Sequence, residues 1–329
     1  MHKLLPVAAF CLPLHTLAES VAESAAESGA EPAMRVVAGP MNYTEGPAVG
    51  PEGGVWFTEA GPAHAVHRHD PATGETTLVL DRTASGGANG LLWLDDEGLL
   101  ICRDRLDQAV GFMEDPLGDA VNIELVNQTP GGHAFNGPND IAAHEPSRTL
   151  FFTDPRYSQR PNESGIEGVY ALRFDEAIEG DDRSLEKKLA EHTRVSLATD
   201  ALDKPNGIAA MEDRLLIADN GAKTIEQFNI AEDGMLFDQS RFADLTGFES
   251  GPDGMAIDEA GNVFVTIWGD GVQVLDPDGA FLGFIATGDS TSNVTFADDG
   301  GLWVTARNSL MKVSPDAVER ALAGERVEE

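Results

Sequence analysis

Six short segments of the chain repeat one pattern: a side chain bearing an oxygen, in most cases a small residue, then an apolar run. They are Glu45-Gly46-Pro47-Ala48-Val49, Asn89-Gly90-Leu91-Leu92-Trp93, Asn139-Asp140-Ile141-Ala142-Ala143, Asn206-Gly207-Ile208-Ala209-Ala210, Asp253-Gly254-Met255-Ala256-Ile257 and Asn293-Val294-Thr295-Phe296-Ala297. A second apolar run follows about ten residues on, as in Val55-Trp56-Phe57-Thr58 and Val263-Phe264-Val265-Thr266. Turns such as Pro51-Glu52-Gly53-Gly54, Asp95-Asp96-Glu97-Gly98 and Asp298-Asp299-Gly300-Gly301 carry hairpin chemistry between the two runs. Third and fourth runs follow, for example Ala65 to His69 and Thr76 to Leu80 around the turn at Asp70-Pro71.

The first residues of the six segments, the anchors, are separated by 44, 50, 67, 47 and 40 residues. Four short strands in each repeat of this length are the signature of a β-propeller blade. The expectation is therefore an all-β, six-bladed β-propeller with a central metal-binding channel, occupying residues 34–329 as one domain. The long interval predicts an insertion within Asp175 to Lys188. Met34 to Ala38 is placed to complete the last blade, closing the ring and removing its exposed edge. Ser314-Pro315-Asp316 reads as an N-cap with proline at the first position of a short C-terminal helix.

The N-terminus has Lys3 and a mostly apolar stretch from Leu4 to Leu17, too short to span a bilayer, followed by the small-residue site Thr16-Leu17-Ala18. It reads as a signal peptide over residues 1–18, hence a periplasmic or secreted protein without a membrane anchor, with a low-complexity Ala/Glu/Ser lead-in at 19–33. Removal of Cys11 would leave Cys102 as the remaining cysteine, in an apolar run that makes it a buried structural thiol. Lys and Arg total 22 against 56 Asp and Glu, a formal net charge of -34. Such a chain repels phosphate backbones, which argues against a nucleic-acid partner.

In a propeller the innermost strands line the axis, and residues at their starts face one mouth of the channel. Glu45, Asn89, Asn139, Asn206, Asp253 and Asn293 are thus expected to converge. Asn and Asp are good turn residues before strands, but Glu45 has no such preference, and all six carry oxygen donors. Two carboxylates with carboxamides, and neither Cys nor His, suit a hard divalent cation: Ca²⁺ best, with Mg²⁺, Mn²⁺ or Zn²⁺ as alternatives. So few protein ligands leave positions open for water or substrate.

As an ordered set, Glu45-Gly46-Pro47, Asn136-Gly137-Pro138-Asn139-Asp140, Phe152-Thr153-Asp154-Pro155, Pro205-Asn206-Gly207 and Gly251-Pro252-Asp253-Gly254 resemble the signature of the gluconolactonase/regucalcin-like (senescence marker protein) lactonase family, over about residues 40 to 313. The resemblance implies a six-bladed propeller with one divalent metal, Glu45, Asn206 and Asp253 as ligands, and Asn139 touching metal or substrate. It also implies Asp253 as general base. Gly137 departs from the regucalcin branch, which has Arg there, and the Phe152-to-Pro155 run is similar to the bacterial gluconolactonase-like branch.

The implied reaction opens a sugar lactone to the aldonic acid. The metal polarises the carbonyl, and either Asp253 or a metal-bound hydroxide activates water. Asn89, His133, Asp154 and Tyr157 are candidate substrate contacts, with Arg156 beside them; Asp154 reads equally well as a turn residue. His67 and His69 share a face of a third strand and are expected to be exposed and structural. The four tryptophans are expected to pack between blades. A phosphotriester or aryl-ester hydrolase on the same site, and a non-catalytic calcium-binding propeller that binds a ligand or protein, are the alternatives.

Overall fold

The turn-bounded apolar runs all form strands, because each is short, alternating and closed by Gly, Pro or Asp. The computed structural model describes residues 32–94, 98–118, 122–158, 160–174 and 192–328. The expected signal peptide, nearly all of the expected low-complexity lead-in, the turn at residues 95–97 and the insertion expected after Phe174 lie outside them. Six antiparallel sheets form the blades of a propeller. Their inner strands are Thr44–Val49, Ala88–Leu94, Ile141–His144, Pro205–Met211, Pro252–Ile257 and Thr291–Phe296. Consecutive inner strands touch all the way round, the first against the last.

Met34–Ala38 pairs antiparallel with Ser309–Val313, with Met34 opposite Val313, so the chain's first described strand is the outer strand of the sixth blade. This seals the ring. Pro315–Leu322 is the expected helix, with the Ser314 hydroxyl accepting from the Ala317 N–H at 3.3 Å. It buries Ala317, Val318 and Ala321 against Val272 and Ile285. The two residues Arg326–Val327, which have no sequence signal of their own, then add parallel to Phe281–Ile285 as a fifth strand of the fifth blade.

The core lies between blades. The Trp56 and Trp93 rings meet edge-on at 5.4 Å across the first two blades. Cys102 is fully buried among Leu100, Val110 and Phe152, and burial pushes its thiol pKa up. The histidines of the first blade correct an expectation. His69 is buried, with its ring edge-on to Trp303 at 5.8 Å and Nδ1 at 2.9 Å from Thr76 Oγ1. His67 is half-buried, stacked on Phe57 and 3.4 Å from Glu59. Burial lowers the pKa of both, and they pack the seam where the ring closes rather than facing solvent.

Candidate axial site

What aims the anchors at the axis is a repeated irregularity. In five blades the ladder between inner and second strands shifts register at the anchor: across Glu45/Ala48, Ala88/Leu91, Pro205/Ile208, Pro252/Met255 and Thr291/Asn293. Such bulges re-aim a side chain and free backbone groups from the ladder. Threonines at the ends of second strands take up freed carbonyls. Thr58 Oγ1 donates to Asn89 O at 2.9 Å, Thr266 Oγ1 to Gly254 O at 3.0 Å, and Thr305 Oγ1 to Asn293 O at 3.2 Å.

The glycine after four of the anchors has a steric cause. A Cβ on Gly46 would collide with the Asn89 carbonyl, and one on Gly207 with that of Asp253. The Gly90 N–H donates directly to Asn139 O at 2.8 Å. Each glycine thus lets one inner strand lie against the next anchor, and the ring of anchors stays tight.

Glu45, Asn89, Asn139, Asn206 and Asp253 line one cavity of about 520 Å³, together with Tyr157. Asn293 does not join them. Its Nδ2 donates to Asp140 Oδ2 at 3.3 Å, and both residues line a second cavity in the other half of the channel. Asp140 and Val294 occupy the register where the other four repeats have glycine, and Asp140 meets Asn293, the residue before Val294, across the axis.

Several lining residues come from loops that carry no repeat signal. Tyr43, Arg105, Lys204, Asn220, Lys223 and Trp268 are among them. The Tyr43 hydroxyl hydrogen-bonds the Glu45 side chain, and its ring meets Trp268 at 5.5 Å. Trp268 therefore faces the cavity, a correction to the expectation that all four tryptophans pack between blades. Tyr157 is 40% exposed as a residue, but its hydroxyl turns inward and accepts from Asn206 Nδ2 at 2.9 Å. Asn89 Nδ2 donates to Asp104 Oδ2 at 3.3 Å.

Two predicted substrate contacts lie elsewhere. Asp154 is fully buried behind the cavity. Its Oδ1 accepts from the Gly137 N–H at 2.7 Å and its Oδ2 from the Asn136 N–H at 3.0 Å. It clamps the turn that delivers Asn139, so its turn role is the one realised. His133 is exposed at the tip of a loop closed by the Thr129 N–H on His133 O at 2.8 Å, and it does not line the cavity. Arg156 is likewise outside, donating to Arg160 O at 3.2 Å.

The electrostatics of the anchor ring are one-sided. Burial first, then the charges of Asp253 and Asp140, raise the Glu45 carboxyl well above the usual range. Burial and the charge of Asp140 raise Asp253 in the same way, against a hydrogen bond from the Asn206 side chain that lowers it. Asp140 itself is pushed up to about 7 by burial. Among the described residues, no lysine or arginine is one of the leading influences on these three carboxyls. Such a group of buried acids attracts a cation.

Residues 43–308 match the model of the SMP-30/Gluconolactonase/LRE-like region, and the chain belongs to that family. A gluconolactonase of Zymomonas mobilis is 25% identical over 85% of this chain and 80% of its own length. The solved gluconolactonase of Xanthomonas campestris is 26% identical, covers 85% of this chain and 88% of its own, and superposes with a TM-score of 0.70. A regucalcin of Agrobacterium tumefaciens, described as a calcium-binding protein, shares the fold at 19% identity and a TM-score of 0.65, over 85% of this chain and 92% of its own. Membership with gluconolactonase relatives supports lactone hydrolysis on a small-molecule substrate.

Proposed function

We propose that the axial cavity is the active site of a divalent-metal-dependent lactonase that opens a gluconolactone-like sugar lactone to its aldonic acid. The observation that carries this is the meeting of Glu45, Asn139, Asn206 and Asp253 on the wall of one axial cavity. The donor set fits a metal. It offers only oxygens, and its two carboxyls are buried together, Glu45 being raised by the charge of Asp253 and Asp253 by that of Asp140. Among the described residues no three Asp, Glu, His or Cys side chains gather as a metal cage, so Glu45 and Asp253 would be joined by the carboxamides of Asn139 and Asn206, with water or substrate in the open positions. An oxygen-only set with neutral members favours Ca²⁺, and the calcium-binding regucalcin of the same fold supports that choice.

When bound there, such an ion would supply the positive charge that polarises a lactone carbonyl and offsets its developing oxyanion. The chain's own groups do the rest. Asp253, on the wall of the cavity beside the site of the ion, accepts the proton of the attacking water. Tyr43 fixes Glu45, and Tyr157 fixes the amide of Asn206 so that its oxygen is free for the axis. Asn89 and Tyr157 contact the sugar, and the Tyr43–Trp268 pair forms an apolar wall for the ring. Residues 1–18 are the export signal of this reading, which N-terminal sequencing of the mature protein checks.

The test is hydrolysis of glucono-δ-lactone by protein stripped with a chelator and then resupplied with Ca²⁺. Loss and recovery of activity is the expected result. Activity unchanged by complete metal removal overturns the metal dependence. A metal-replete protein that opens aryl esters or phosphotriesters but no lactone overturns the substrate assignment.

A further inference from the structure

The residues two positions before the anchors form a second ring, and its members differ in a way that singles out one of them. In chain order they are Tyr43, Gly87, Gly137, Lys204, Gly251 and Thr291. A side chain at Gly87 would press on the Leu106 nitrogen at 2.7 Å, and one at Gly251 would collide with the Asn220 carbonyl. Thr291 turns away, its hydroxyl donating to Gly271 O at 3.0 Å. Tyr43 and Lys204 remain. Both hold left-handed backbone, φ 60 and φ 57, a conformation that costs a non-glycine residue about 1 kcal/mol or more. Tyr43 uses it to reach Glu45. Lys204 stands at the same register beside Asn206, on the same cavity.

The other cations of this wall are engaged. Lys223 Nζ donates to Glu249 O at 2.7 Å and Phe248 O at 3.0 Å, and Arg105 Nε lies 2.7 Å from Asp104 Oδ1. The Lys204 carbonyl accepts from the Asn220 N–H at 3.2 Å, but its ammonium has no hydrogen-bond or ion-pair partner among the described residues. In a chain with 56 acidic residues to 22 basic ones, a cavity-lining lysine without a carboxylate partner is unexpected. The field of a net charge of -34 opposes the approach of an anion, so an anionic substrate needs a local cation at the mouth.

We propose that Lys204 selects lactones that carry an anionic group, carboxylate or phosphate, on the carbons remote from the reacting carbonyl. The inference rests on the lactonase reading above. The buried carboxylates and carboxamides handle the carbonyl end of the substrate. Lys204 holds the opposite, charged end, one register step outward from Asn206.

The experiment compares kcat/KM of the metal-replete full chain for three lactones: neutral glucono-δ-lactone, carboxylate-bearing glucarolactone and phosphate-bearing 6-phosphoglucono-δ-lactone. At least one anionic lactone should exceed the neutral one by about tenfold, mostly through KM, a margin worth about 1.4 kcal/mol. The better of the two identifies the anionic group. Lys204→Gly, which suits the left-handed backbone and so should fold, should erase the margin, and Lys204→Arg should keep most of it. A neutral lactone used as well as both anionic ones, or a margin that survives Lys204→Gly, overturns the proposal. Failure to open any of the three overturns the lactonase reading itself, so the two failures are told apart.

Discussion

The two halves of the central channel are built by the same six strands yet present different side chains. One half is walled by the anchors Glu45, Asn89, Asn139, Asn206 and Asp253. The other, a cavity of about 320 Å³, is walled largely by residues two to four places later: Val49, Leu92, Ala143, Ala210 and Ala256 among them. Asp140 and Asn293 belong to the apolar half, and the charge of Asp140 reaches Glu45 and Asp253 in the polar one. The difference arises within a single strand. Where the ladder is regular, side chains pack between blades or line an apolar bore. In four of the five blades where a bulge breaks it, the anchor lines the polar half (Glu45, Asn89, Asn206 and Asp253), and the carbonyls of Asn89, Gly254 and Asn293 are taken up by threonines of second strands.

The strongest way to break this contrast is to remove the carboxylate of Asp253. Asp253→Asn keeps size and polarity, and lactone turnover should fall by about 10²–10⁴, the usual range for a general base. Steady-state rates at saturating Ca²⁺ measure it, and near-wild-type turnover would leave Asp253 without a chemical role. Next is Gly207→Ala, which forces a methyl group against the Asp253 carbonyl. Overpacking of this kind costs about 1–3 kcal/mol, and a urea midpoint unchanged from wild type would show that the close approach of these strands does not depend on that glycine.

A pH series sharpens the comparison, since Asp140 lines the apolar half while Asp104 and Asp154 stand behind the anchors Asn89 and Asn139 of the polar one. Burial raises Asp140 and Asp154 to about 7 and Asp104 to about 6. A carboxyl raised by folding binds its proton more tightly in the folded than in the unfolded chain. Stability therefore declines as pH rises from the ordinary carboxylate range through the raised values. The metal-free protein should melt a few degrees lower at pH 8 than at pH 5.5, and saturating Ca²⁺ should reduce that gap. A melting temperature that rises with pH over this window contradicts the assignment. The smallest effect is expected from the apolar half: Thr295→Val should change lactone kcat/KM by less than about twofold, within the ±0.5 kcal/mol usual for a site away from special features.

How much of this was legible in the sequence follows from which physics repeats. Blade count, ring closure by Met34–Ala38 and the Ser314-Pro315 helix start were readable, because hairpin turns and capping residues are local signals. Five of the six anchors share a cavity because they share a register. Asn293 departs where its repeat has Val294 in place of glycine, opposite the equally unusual Asp140, so that pair of exceptions was a usable signal. Trp268 was not marked as a site residue, since a loop that meets the cavity only after the ring closes leaves no periodicity; Tyr43 and Lys204 share a register two before the anchors, but four of the six repeats carry glycine or a turned-away threonine there. Asp154 shows the converse: an acid beside a proline at a strand end reads as a mouth residue, while the structure turns it inward onto two backbone amides.

The central claim is that the polar half is a cation site built from Glu45, Asn139, Asn206 and Asp253. Calorimetric titration of Ca²⁺ into chelator-stripped protein near neutral pH, repeated in buffers of different ionisation enthalpy, tests it most directly. The account predicts one saturable site per chain that releases protons on binding, because the raised carboxyls of Glu45 and Asp253 must ionise to take the ion, and predicts its loss in Glu45→Gln. No saturable binding, or binding that survives Glu45→Gln with its proton release unchanged, would contradict it.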